Sequence, residues 1–300
     1  MLVELVSLLN DDGLRLDGAF YAPTGDGDRA GPVDAVLLIH GSRGNFYDGA
    51  TKSMAQDLSA QGYACLPLNT NAHDTAWYNP GGQNFKGNAF EVLAHTCIDL
   101  RAGIDHLTER GYRRIGLLGH SMGAVRVAYY AATQDDGRVA TVVPVSPVRL
   151  SYSYFMESED SEEFAANIEI ARRLIARGEP EGVFRVDHPI PQLFSAASFL
   201  DKHGPEEKYN LINHAHGIRV PMLTLNGSRE THSRLRDMAQ DLAAAAVNSP
   251  KAETLMVEGG EHSLVNRTPK LRMQCSSGPL RARPKGLGSS PRWTVARWHN

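Results

Sequence analysis

Arg114-Ile-Gly-Leu-Leu-Gly-His-Ser-Met-Gly123 runs straight into Ala124-Val-Arg-Val-Ala-Tyr-Tyr-Ala-Ala132. The first half is a short apolar strand. The last third suits a helix. Between them lies Gly119-His120-Ser121-Met122-Gly123, a G-x-S-x-G pentapeptide on a strand-turn-helix. Such a turn is sharp and strained, and it lifts the serine hydroxyl above the edge of a sheet. Side chains flanking the serine would collide with the adjoining strand and helix, so glycine suits both positions.

Working outward, the chain alternates between strand and helix. Val3–Leu9 and Leu14–Tyr21 form a hairpin about Asn10-Asp-Asp-Gly13. Ala35-Val-Leu-Leu-Ile39 is a continuous apolar run of the kind buried on both faces of a parallel sheet. Helix is expected over Gly49–Gln61, ended by Gly62, and strand over Tyr63–Leu68. Residues 69–87 read as a long loop. A 3.6-residue period predicts a helix over Asn88–Arg110, stopped by Gly111. Strand follows over Ala140–Val145. The rhythm breaks after Pro147, where residues 148–217 show two helical stretches, Ser161–Arg177 and Ile190–Leu200, among polar loops. It resumes with strand Val220–Leu225, helix Ser233–Ala246 and strand Ala252–Val257.

This alternation predicts an α/β fold with a mostly parallel central sheet flanked by helices. Residues 1–147 and 218–266 make the core, and residues 148–217 make a small helical lid over the C-terminal edge of the sheet, where open α/β sheets bind ligands. Residues 267–300 are a basic tail rich in Pro and Gly, read as disordered rather than as a nucleic-acid arm.

Composition narrows the function classes. Hydrophobic residues are 42% and charged residues 22%, as in an ordinary globular protein. Eight of the 31 Lys and Arg, and none of the 34 Asp and Glu, lie from Arg267 on. Residues 1–266 therefore carry 23 basic and 34 acidic side chains, a net of −11, which argues against nucleic acid as a partner of the body. Cys65, Cys97 and Cys275 form no CxxC pair and imply free thiols in a reducing compartment. The N-terminus carries Glu4 in its apolar run and reads as a strand rather than a signal peptide. No apolar run is long enough for a membrane span. A cytoplasmic location is expected.

A serine hydroxyl is a weak nucleophile until a base within hydrogen-bond reach, itself oriented by an acid, takes its proton. His262, in Gly259-Gly-Glu-His-Ser263 beyond the final strand, is placed to turn back toward Ser121. Glu230 lies a few residues past the strand Pro221–Leu225 and is the candidate acid. Glu261 and Asp237 compete with it, and His232 is a second candidate base. The oxyanion formed on acyl attack needs preorganised N–H donors. The N–H of Met122 is one. The turn His40-Gly41-Ser42-Arg43-Gly44 supplies the other, with the Ser42 N–H ahead of that of Arg43. His40 reads as a buried hydrogen-bonding residue of that turn. No metal or organic cofactor is expected, since His214-x-His216, the only close histidine pair, lacks a partner motif.

His40-Gly41 and Gly119–Gly123 together resemble the α/β-hydrolase superfamily over approximately residues 1–266. His40–Tyr47, Ala89-Phe90-Glu91 and Asp99-Leu100-Arg101 resemble a bacterial serine-hydrolase branch, with siderophore-esterase-like proteins as distant relatives. The resemblance implies a Ser–acid–His triad in that chain order, mapped onto Ser121, Glu230 and His262. The acid is Glu where Asp is commoner. A closing helix is also implied after the histidine, where this chain runs into the Pro-rich tail.

The implied activity is cleavage of a carboxylic ester or lactone through an acyl-enzyme on Ser121. Amide or C–C cleavage by the same triad, and a non-catalytic receptor using the same pocket, are the alternatives. The substrate pocket is expected to draw on His40, Gly41, Arg43 and His120, on Trp77 and Tyr78 at the entrance, and on Tyr154 and Phe155 from the lid. The lid aromatics Tyr152, Tyr154, Phe155, Phe184, Phe194 and Phe199 suit either an acyl pocket or a small core of the lid itself. No arginine cluster at a pocket position points to a phosphorylated substrate, and oligomeric state is not legible.

Overall fold

In the computed structural model, residues 2–24, 33–187 and 191–264 are described, together with two short paired strands at Leu271–Arg272 and Thr294–Val295. The chain opens with strands β1 (Glu4–Leu9) and β2 (Arg15–Phe20), then β3 (Ala35–Ile39), helix α1 (Gly49–Ala60) and β4 (Ala64–Leu68). A small hairpin, β5 (Trp77–Asn79) and β6 (Asn84–Lys86), precedes α2 (Thr96–Glu109), β7 (Ile115–His120), α3 (Met122–Thr133) and β8 (Val139–Val145). The inserted segment holds α4 (Tyr152–Met156), α5 (Ser161–Ala176), the antiparallel pair β9 (Val183–Val186) and β10 (Gln192–Ser195), and α6 (Ala196–His203). Then come α7 (Leu211–His214), β11 (Met222–Gly227), α8 (Met238–Ala245) and β12 (Ala252–Val257).

Eight strands form one sheet in the order β1-β2-β4-β3-β7-β8-β11-β12. β1, β2 and β4 pair antiparallel, and every pairing from β4 to β12 is parallel. Because β3 is buried on both faces, all five of its residues are apolar, and the pleat divides them. Leu37 and Ile39 join the core beneath α2, α3 and α8. Val36 and Leu38 join the core on the other face, with Met54, Ala55 and Leu58 of α1. Chain direction across the sheet reverses at β3: β4 lies on one side of it and β7 on the other. The crevice at the C-terminal ends of β3 and β7 is thus a topological switch point, the usual ligand site of an open α/β sheet.

The inserted segment packs around its own aromatic cluster of Phe155, Phe164, Phe194 and Phe199, with Ile168 and Val186. Of the tail from residue 267, only the short strand pair is described, so its expected disorder lies outside the described residues. No helix among the described residues is long and apolar enough to cross a membrane.

Four expectations change. The helix expected from Asn88 starts at Thr96, after two 3-10 turns at Asn88–Phe90 and Leu93–His95. Glu91 and Val92 between them are extended, which carries the Glu91 side chain inward to buried cations. The Leu93 and Ala94 N–H groups donate to Asp201 and to the Tyr209 hydroxyl. The long loop 69–87 contains the β5–β6 hairpin. Within the stretch expected as helix, Gln192–Ser195 is strand, and Ser195 then caps α6 by accepting from Ser198 N. The helix expected from Ser233 begins at Met238, because Asp237 takes a left-handed conformation (φ 61°) that ends the preceding turn.

Candidate active site

The site begins at the end of β7. Ser121 stands at the N-cap of α3 with φ 57° and ψ −120°. An N-cap serine ordinarily turns its oxygen back to accept from the first helical N–H groups. Here the strained backbone turns the hydroxyl away, and it caps nothing. The flanking glycines permit this. A Cβ on Gly119 would come within 2.1 Å of the Gly123 carbonyl oxygen, and one on Gly123 within 2.2 Å of the Ile39 carbonyl oxygen.

The freed hydroxyl meets His262. Ser121 Oγ lies 2.9 Å from His262 Nε2, and His262 Nδ1 donates to Glu230 Oε1 at 2.8 Å. Glu230, its side chain only 1% exposed, also accepts from the Gly227 N–H at 3.2 Å. The structure therefore brings together the three residues expected to act in concert. The competing groups are elsewhere. Glu261 faces solvent beside Arg229, Asp237 precedes α8, and His232 accepts from the Arg234 N–H.

His120 braces the imidazole from behind. Its Nε2–H donates to the His262 carbonyl oxygen at 2.7 Å, and the two rings lie 5.0 Å apart. Burial, then the neighbouring His262, pushes its pKa down to about 4, so it is a neutral strut. Expected among the pocket residues, it holds His262 in place.

The turn after β3 approaches Ser121 closely: a Cβ on Gly41 would sit 3.0 Å from the Ser121 Cβ. The N–H groups of Ser42 and Met122 are not engaged by another described residue. Arg43 has φ 57° and reaches across to the Pro191 carbonyl at 3.4 Å. His40 is buried inside the turn, as read from the sequence, and so leaves the expected pocket lining. Its Nδ1–H donates to Gly41 O at 2.8 Å, and its Nε2 accepts from the Thr70 N–H at 3.2 Å. Burial, then Arg126, pushes its pKa to about 3.

Trp77 and Tyr78, expected at the entrance, lie on the β5–β6 hairpin. Trp77 stacks on His73 at 4.8 Å, and Tyr78 is 52% exposed against Phe85. Their hairpin shares a cleft with the Asn10–Leu14 turn, and no described contact joins them to Ser121. Tyr154 lies under Arg149, 4.4 Å from guanidinium carbon to ring centre, and packs edge-on against Phe155 in the insertion's own core.

Two features were missed in the sequence. The first is a fully buried ion network. Glu91 accepts from Arg126 Nε at 2.7 Å and Nη2 at 3.0 Å, and pairs with Lys202 Nζ at 2.7 Å. Arg126 Nη1 continues to the His40 carbonyl oxygen at 2.8 Å. The network thus ties α3, α6 and the 40–44 turn together beneath Ser121. Burial alone would raise the Glu91 carboxyl, but the two cations outweigh it and hold the pKa near 2. The second is Arg234, buried beside Met122 with its Nη2 3.9 Å from Met122 Sδ. A helix face as apolar as Ala124–Ala132 with one Arg in it was the available signal for the network. Nothing local marks Arg234.

No family model and no curated protein matches this chain in sequence. Solved structures match in shape. The α/β hydrolase GrgF from Penicillium sp. sh18 superposes with a TM-score of 0.64 at 16% identity, over 89% of this chain and 94% of that one. The esterase Pf2001 from Pyrococcus furiosus gives 0.55 at 18% identity, over 89% and 85%. Est1E from Butyrivibrio proteoclasticus gives 0.57 at 16% identity, over 87% and 93%. At these identities the likeness is one of fold, and the chain has the α/β-hydrolase fold.

Proposed function

We propose that the protein is a serine hydrolase that cleaves a carboxylic ester or lactone. One observation carries this reading: the continuous Ser121–His262–Glu230 hydrogen-bond chain, built on a backbone strained at the serine. Its geometry suits general-base activation of a hydroxyl. His262 Nε2 takes the Ser121 proton as Oγ attacks the carbonyl carbon. Glu230 holds the Nδ1–H tautomer and stabilises the imidazolium that forms. The N–H groups of Met122 and Ser42 bind the oxyanion. His262 then gives its proton to the leaving alcohol. Water, deprotonated by the same imidazole, attacks the acyl-enzyme and releases the acid. Two of the similar folds belong to proteins described as esterases or hydrolases, which agrees with this reading.

The test is hydrolysis of a short-chain p-nitrophenyl ester by the parent and by Ser121→Ala, each checked for folding by circular dichroism. Turnover in the parent and a loss of about 10⁴–10⁶ in kcat in a folded variant is the expected result. A folded parent that neither hydrolyses esters nor is labelled by a fluorophosphonate at Ser121 overturns the proposal and favours a receptor.

A further inference from the structure

The loop that delivers Glu230 does not continue directly into α8. Between Thr231 and Asp237 it is irregular, and this turns Arg234 inward. Its backbone is held on both sides: the N–H donates to His232 Nδ1 at 3.1 Å, and the carbonyl accepts from the Arg149 N–H at 2.8 Å. The guanidinium then enters a small cavity whose apolar walls are Phe155, Phe164, Phe194 and Phe199. Among the described residues Arg234 has no carboxylate partner, and its Nε has no hydrogen-bond acceptor. The nearby acids are committed elsewhere. Glu91 pairs with Arg126 and Lys202, Asp241 pairs with Arg149, and Asp160 accepts from the Ser233 hydroxyl.

The cavity contains two further polar side chains. His203 Nδ1 is buried without a partner, and the buried Asn167 lines the same cavity. A guanidinium with an unpartnered Nε, an unpartnered imidazole nitrogen and an amide therefore share one largely apolar enclosure. One of them carries a fixed positive charge. An isolated buried cation is among the costlier arrangements a protein can hold, and it persists where something pairs with it. The surrounding charge reinforces the point, since Glu91 is a single negative charge among Arg126, Lys202 and Arg234. Burial lowers Arg234 to a pKa of about 10. It remains charged at neutral pH. The cavity is about 20 Å³, room for about one water-sized group such as a single carboxylate oxygen.

We propose that Arg234, with Asn167 and His203, forms the subsite for a free carboxylate on the substrate, so that the compound cleaved at Ser121 is an anionic ester such as a half-ester of a short dicarboxylic acid. This rests on the serine-hydrolase reading for the chemistry, but not for the binding. Arg234 abuts the side chain of Met122, the residue that follows Ser121, and this contact is what relates the cavity to the elbow.

The test compares mono-p-nitrophenyl glutarate with its neutral counterpart p-nitrophenyl valerate. The parent is expected to favour the anionic ester by about 10–100-fold in kcat/KM, the factor of one charge-assisted hydrogen bond to a buried partner. In Arg234→Met that ratio falls to about one or below. Glutarate binding is measured by calorimetry on the parent, on Ser121→Ala and on Arg234→Met, with 1,5-pentanediol as the neutral control. Glutarate should bind the first two and not the third, and the diol should bind none.

A parent that hydrolyses both esters without preference and does not bind glutarate overturns the subsite while leaving the serine hydrolase intact. A parent that hydrolyses neither ester but binds glutarate through Arg234 overturns the hydrolase and keeps the subsite. Should Arg234→Met not fold, the parent's ester ratio and its glutarate binding still decide.

Discussion

Two buried glutamates flank the same helix, and they face opposite kinds of partner. Glu91 meets Arg126 and Lys202, which are cationic at rest. Glu230 meets His262, an imidazole that in the proposed mechanism carries a positive charge only while it holds the proton from Ser121. The first carboxylate is neutralised permanently and stiffens the fold. In the proposed mechanism the second is held ready for a charge that appears during reaction, and such preorganisation lowers a barrier rather than a ground state. Burial is nearly equal at the two, so burial does not separate a structural acid from one proposed to act in catalysis. The permanence of the partner's charge does.

Substitution of each acid by its amide should pull the two roles apart. Glu230→Gln is expected to lower kcat by about 10²–10⁴ while shifting thermal stability little. Steady-state kinetics and a melting curve on the same preparation check this. A Glu230→Gln enzyme of unimpaired activity would return the role to another carboxylate.

Glu91→Gln should do the reverse. It strands two buried cations and is expected to cost about 3–5 kcal/mol in urea unfolding. Its effect on the rate of the molecules that remain folded should be smaller than that of Glu230→Gln, acting through Arg126 and the His40 carbonyl. Equal kinetic losses from both amides would erase the distinction.

The smallest effect is on acid stability. Burial keeps His40 and His120 neutral in the fold, with pKa values of about 3 and about 4 against 6.5 in free chain. The unfolded chain takes up those protons first. The stability they contribute is therefore whole above about pH 6.5 and falls as the pH drops toward 4. Asp99 works in the opposite sense: burial raises it to about 6 despite three donated hydrogen bonds, so its protonation favours the fold as pH falls through 6. The two imidazoles outweigh it. Below about pH 4.5, protonation of Glu91 in the unfolded chain adds to the loss, down to its folded value of about 2. Melting temperatures from pH 7 to pH 4 should decline. A flat profile would mean that the unfolded chain shields these groups equally well.

Much of this was legible in the sequence, for local reasons. The elbow is a five-residue steric problem with one common solution, so Gly119, Ser121 and Gly123 announce the turn, and the strand order that follows them orients the reading. Glu230 and His262 follow because each sits just beyond a strand end. The Glu91 network was hidden, because its members lie on three elements and only packing brings them together. The periodicity of 88–110 even pointed the wrong way there: apolar spacing continued through a stretch whose backbone opens to place Glu91. The aromatic residues of the insertion could not be divided between pocket and core from spacing, since both uses need the same side chains.

The tie between α6 and the elbow has a consequence for engineering. Lys202 and Ser198 of the insertion bind the side chain and the backbone of Glu91. The segment 148–217 is therefore not an interchangeable module. Transplanted alone into another scaffold of this fold, it would carry an orphan lysine into an apolar interior. A working chimera has to take the 88–91 turn and Arg126 with it.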